Sequence, residues 1–277
     1  MPTTQSGSIE ASRQRAKEVG AAAGPGSAPV AGLDLLTRPG RLVDLTRPLY
    51  EGMPMWFGHQ KTYQFTYATH DSFKEEWGFD SGFYARGMVI SEHVGTHTDA
   101  IVEYDPDGPS LSETPLNFYW GSAVCLDLSE AQFQDPDPDG RGYATPEVIQ
   151  RAEEKLAAAG EEIRRGDIVL GWFDYGDRTF PSRRFITECP GYTFDAIEYL
   201  AGKGVVNVGT DCVGIDNMLD EQFMGHMACK KHGIINTENL ANLDQLVNTR
   251  FVFFGLPLNI RGGTGSPIRA VAWYPEG

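Results

Sequence analysis

"HVGTHTD", His93 to Asp99, continued by "AIVEYDPDG" to Gly108, is the stretch on which the reading of this chain turns. Two imidazoles four positions apart, with a carboxylate two further on, make a metal half-site if the backbone brings them together. On a helix, positions i and i+4 share a face, which is how the HExxH zinc proteins hold their ion. Here the spacing residues Val94, Gly95 and Thr96 are poor helix formers, and the preceding "GMVIS" (87–91) is strand-like. The motif is therefore expected on a strand end and turn, with Gly95 letting the backbone bend until His93, His97 and Asp99 face one point. Two imidazoles and one carboxylate suit Zn²⁺, Mn²⁺ or Fe²⁺ and leave a position for water. The alternative is a loop of solvated polar side chains with a capping aspartate.

The rest of the chain bounds what such a half-site can serve. With 277 residues, 41% of them hydrophobic, it can bury a real core. The net charge of −15 works against association with phosphate backbones and anionic lipid. Nucleic acid and membrane are thereby excluded as expected partners, leaving a small-molecule substrate. An anionic substrate would need a local positive centre, which a divalent cation among carboxylates supplies. Cys125, Cys189, Cys212 and Cys229 form no CxxC pair and read as reduced, packed thiols. No secretion signal and no run of 18 apolar residues is found, so the cytoplasm is the expected location.

Residues 1–40 are rich in Ala, Gly and Ser and are expected to form a flexible extension, with a short helix over Ile9 to Val19. Residues 41–277 read as one domain. Short apolar or alternating runs predict strands at 41–46, 63–68, 85–91, 122–128, 167–173, 204–209 and 250–256. Thr145 with Pro146 and a later Gly160 bracket a helix; "TFDAIEYLAGKG" (193–204) predicts a second. The expected class is α/β: a β-rich body with a few helices packed on it.

Two further stretches carry possible chemistry. His226 lies among small and apolar residues and by itself reads as a packed core histidine. Glu238 precedes "NLANLDQL" and by itself reads as the first-turn acid of a helix or turn. The glycine-rich "GLPLNIRGGTGSPIRAVAW" (255–273) lacks the Lys-Ser/Thr of a phosphate loop and reads as a tight turn between two core strands. Arg269 within it needs an acidic partner, for which an acid of the site is one option.

Taken together, these residues resemble the metal-dependent cyclase family that includes bacterial kynurenine formamidase, isatin hydrolase and some polyketide cyclases. Its signature reads approximately H-x-G-T-H-x-D-x-P-x-H, matched here by His93, Gly95, Thr96, His97 and Asp99. "LVDLTRPLYEGMPMW" (42–56), His226, "TENLANLDQL" (237–246) and "GGTGSPIRAVA" (262–272) are similar to further segments in the same order. The resemblance implies a swivelling β/β/α fold assembled as a homodimer or homotetramer. It also implies one or two divalent ions, zinc or manganese foremost: one on His93, His97 and Asp99, the other sharing Asp99 with His226 and Glu238.

Where the signature ends in histidine, this chain has Glu103. That glutamate can act as general base, join the second metal as a ligand, or orient a ligand histidine. The expected reaction is hydrolysis of an amide, cyclic amide or lactone of a small aromatic or cyclic metabolite by metal-activated water. Ring closure of a polyketide-like metabolite is the alternative. Trp56 can stack on the substrate or serve packing, and Phe79, Phe83 and Tyr84 are expected to contribute a lid, with Phe83 touching substrate.

Overall fold

The computed structural model describes residues 32–132, 142–218 and 220–275. The helix expected over Ile9 to Val19 lies outside them. Among the described residues thirteen strands run β1 (Gly40–Asp44), β2 (Tyr63–Ala68), β3 (Ala85–Val89), β4 (His97–Asp99), β5 (Trp120–Asp127), β6 (Tyr143–Ala144), β7 (Ile168–Trp172), β8 (Gly191–Tyr192), β9 (Asn207–Thr210), β10 (Ile235–Glu238), β11 (Arg250–Phe254), β12 (Gly265–Pro267) and β13 (Val271–Pro275). Nine of them form one sheet in the order β1-β13-β11-β5-β7-β9-β10-β4-β12. Its centre, β5-β7-β9-β10, is parallel. β11 and β4 flank that centre antiparallel, and β13, β1 and β12 continue outward.

A parallel centre has both faces covered, which explains the nearly unbroken apolar runs read as strands. In β5, Val124 and Leu126 enter one buried cluster, while Ala123 and Cys125 enter the cluster on the opposite face. The first face is covered by helices α2 (Pro146–Ala158), α3 (Phe194–Gly202) and α4 (Met224–His232) through Ile149, Leu156, Ile197, Leu200 and Ala228. Thr145 caps α2 and Thr193 caps α3 as their sequences predict. α4 escapes sequence reading because the residue at its N-cap, Phe223, has no side chain able to cap it. All four cysteines are buried and free.

The folded body starts earlier than residue 41. Leu33–Thr37 is a 3-10 turn whose Leu35 is buried and whose Leu35 carbonyl accepts from Trp273 Nε1 at 3.0 Å. Of the three leucines in this turn only Leu35 is buried, Leu33 and Leu36 each being 38% exposed, so the run carries no dense apolar pattern and reads with the extension.

β2 and β3 form a separate antiparallel hairpin enclosing a helix, α1 (His70–Trp77), begun by a reciprocal cap between Thr69 and Ser72. No residue of α1 is buried, and the arm exposes Tyr67 (77%) and Trp77 (62%). Among the described residues no helix is long and apolar enough to cross a membrane.

Candidate metal centre

Strand β4 carries two of the expected ligands. His97 and Asp99 stand two apart, so both project to the same face. His93 reaches that face because the chain turns at Gly95, whose φ of +63° lies in the left-handed region and whose Cα sits where a Cβ would lie 2.4 Å from Leu49. The ladder then delivers the distant residues. Glu238 of β10 is paired directly with His97, so it ends a strand rather than opening a helix, and its side chain points into the site. On the other side Gly265 of β12 pairs with Asp99. A Cβ at Gly265 would lie 2.5 Å from His93 Cε1, so the glycine makes room for that ring. His226 arrives from the first turn of α4.

The facing atoms are close. His97 Nε2 lies 3.3 Å from Asp99 Oδ1 and 3.4 Å from Glu238 Oε2; His226 Nε2 lies 3.5 Å from Glu238 Oε1 and 3.8 Å from Asp99 Oδ2. His93 Nδ1 is 2.6 Å from Asp99 Oδ1 and 3.4 Å from Glu103 Oε1. Two groups with metal-ligand spacing result, His93-His97-Asp99 and Asp99-His226-Glu238, with Asp99 common to both. Donors sharing one tetrahedral ion about 2.1 Å away stand about 3.4 Å apart, close to most of these separations.

Each imidazole is also held by its outer nitrogen. His97 Nδ1 faces the Gly95 carbonyl at 2.8 Å, which can only accept, so Nδ1 carries the proton and the Nε2 lone pair faces the site. His226 Nδ1 is held by the Asp216 carboxylate, which also accepts from Gly225 N at 2.5 Å and anchors the start of α4. His93 is turned the other way round. Its Nε2 donates to Thr264 Oγ1 at 2.9 Å, and the Thr264 hydroxyl donates to Glu92 Oε2 at 2.8 Å, leaving the Nδ1 lone pair toward the site. Asn236 Nδ2 donates to both Asp99 Oδ2 (2.5 Å) and Glu238 Oε1 (3.0 Å), fixing the two carboxylates.

The electrostatics call for a cation. Burial and the neighbouring Asp99 push the Glu103 carboxyl up to about 8 and that of Glu238 up to about 7. Burial opposes a charged His97, but Asp99 and Glu238 beside it raise it to about 9. Without a cation, three carboxylates crowded together share protons with three imidazoles. This donor set, with inward lone pairs and excess negative charge, fits a divalent cation.

The centre opens into a cavity of about 250 Å³ whose lining includes Trp56, His59, Glu103 and Phe223. Trp56 is therefore at the site. Phe83 is not: its ring packs on Phe73 with centroids 4.1 Å apart, because 70–77 folds as a helix that offers it a partner in the arm. Arg269 is not a site residue either; it is exposed at the surface and pairs with Asp44, its Nε 3.0 Å from Asp44 Oδ1. Residues that sequence reasoning passed over are Glu92, Thr264, Asp216, Asn236, His59 and Phe223. The "GGTG" turn held the one usable signal, since Thr264 and Gly265 build the seat of His93. Removing the Thr264 hydroxyl tests that seat: Thr264→Val is expected to weaken metal binding roughly 10–100-fold by chelator competition, with Thr264→Ser restoring it. Equal affinity in Thr264→Val would show that the relay does not hold His93.

The Cyclase family model matches residues 43–217. The chain is 31% identical to isatin hydrolase of Roseibium aggregatum over 216 residues, 73% of this chain and 79% of that protein. It is 27% identical to kynurenine formamidase of Paracidovorax citrulli over 244 residues, 87% of this chain and 100% of that protein. Among solved structures, an isatin hydrolase bound to the product analogue thioisatinate superposes with a TM-score of 0.74 at 27% identity, covering 95% of this chain and 99% of that one. Isatin hydrolase A from Labrenzia aggregata bound to benzyl benzoate gives 0.72 at 28% identity, covering 85% and 94%. A matching sheet, a match over most of the chain and a converged His-His-Asp group lead to one conclusion: the chain belongs to the Cyclase family and is a metal-dependent hydrolase.

Proposed function

We propose that this hydrolase cleaves an amide, cyclic amide or lactone bond of a small aromatic or cyclic metabolite. One or two divalent ions, zinc or manganese, would be held by His93, His97, Asp99, His226 and Glu238. The observation that carries this reading is Asp99, whose two carboxylate oxygens face the two halves of one donor cluster at the floor of a cavity. When bound there, a divalent ion lowers the pKa of water and polarises an acyl oxygen.

The chain's own residues supply the rest. Glu103 lines the cavity beside His93, its side chain 26% exposed, and is placed to take a proton from water and pass it to the departing nitrogen or oxygen. Water adds across the acyl bond, the hydroxyl staying on carbon and the proton leaving on the amine or alcohol. Trp56 and Phe223 offer apolar surface for a ring. The relatives named above are an isatin hydrolase and a kynurenine formamidase, which favours hydrolysis over ring closure.

The test is reconstitution. Protein stripped by chelator is expected to lose hydrolysis of formanilides, isatin-type lactams and aryl lactones, and to regain it with zinc or manganese at one or two ions per chain by elemental analysis. Full activity in stripped protein, or none on any acyl substrate after reloading, would sink the proposal.

A further inference from the structure

The cavity wall beyond the donor cluster bears on which acyl compound enters. Trp56, Met218, Phe223 and Met227 give it an apolar side. Trp56 and Phe223 meet edge to face with ring centres 6.4 Å apart. Phe223 holds its place with φ at +52°, a conformation that bulky residues rarely adopt. The charged side is entirely acidic apart from histidine: Glu103, Asp216, Asp220 and Glu238 line it, and among the described residues no lysine or arginine does. Asp216 is committed to His226 and the start of α4, and Asp220 accepts from Gln222 N and Met224 N. A metal at the floor would meet the acyl oxygen, and the three ligand imidazoles would then be neutral.

An anionic group elsewhere on the substrate would therefore lose water and face carboxylates, with no cation arranged to receive it. We infer that the substrate is an uncharged aromatic acyl compound, a lactam or anilide without a carboxylate, and that formamides of amino-acid type are rejected. This rests on the acyl-hydrolase reading above and narrows it.

The metal-loaded enzyme is assayed at pH 8, where an ordinary histidine is neutral and His59 does not confuse the result. Formanilide and its ortho-carboxylate, N-formylanthranilate, present the same scissile bond. The uncharged compound is expected to show a kcat/KM higher by roughly tenfold or more. Titration calorimetry with acetanilide and N-acetylanthranilate reads the same preference as affinity, without turnover. Introducing a cation by Met218→Lys should improve the carboxylated compounds relative to the uncharged ones. Equal or better handling of the carboxylated member of each pair by the unsubstituted enzyme, or no binding of acetanilide, overturns the inference. If neither formamide is cleaved while acetanilide still binds preferentially, the reaction proposal fails and the inference about the pocket stands.

Discussion

Asp99→Asn is expected to strip the centre of metal and to lower kcat/KM by roughly 10³-fold, about 4 kcal/mol of transition-state stabilisation. Asp99 is almost fully buried at 1% exposure and is the residue common to both donor groups, so its loss removes a ligand from each. Burial alone would raise its carboxyl, yet His97 and His93 hold it well below the usual carboxylate range. It is thus the charge around which the imidazoles are arranged. The amide keeps the shape and can still meet Asn236, so circular dichroism should show an intact fold while elemental analysis shows lost metal. A variant that keeps its full metal content would remove Asp99 from the ligand set.

Glu103→Gln is expected to lower kcat by roughly 10²–10⁴-fold, the range for loss of a general acid or base, with metal content unchanged. Glu103 differs from the five donors in belonging to neither metal-spaced group and in being more exposed than any of them, its side chain 26% accessible. The glutamine is isosteric but cannot carry a proton between water and leaving group. Three outcomes separate the three roles open to this side chain. Lost turnover with metal retained assigns proton transfer; lost metal makes it a ligand; near-normal turnover leaves it orienting His93, from which it stands 3.4 Å away.

Much of this was legible in the order of residues, and the reasons are local. Strands β5, β7 and β11 announce themselves because a sheet covered on both faces demands unbroken apolar runs. α2 and α3 do so because Thr145 and Thr193 satisfy the first free amides of each helix. α1 and α4 were hidden because the first buries nothing and the second has phenylalanine at its N-cap, its first amides being taken by Asp216 and Asp220 from upstream. Phe83 was misjudged for a related reason: an aromatic in a loop-like stretch says nothing of which neighbour it will meet, and the neighbour was Phe73.

By itself the sequence determined the α/β class, the strand-borne His93-Gly95-His97-Asp99 half-site and, through ordered resemblance, the family. These depend on contacts within a few residues, where backbone geometry and side-chain type leave few choices. Only the tertiary structure decided that Glu238 stands across from His97, that Gly265 stands across from Asp99, and that Thr264 and Asp216 hold the outer nitrogens of His93 and His226. His97 and Glu238 meet through the pairing of β4 with β10, and Asp99 and Gly265 through that of β4 with β12; both are antiparallel registers between segments far apart in the chain. A shift of one residue would turn each of these side chains to the opposite face. Such a register is chosen by burial of the whole sheet, a sum over the fold that no local pattern contains.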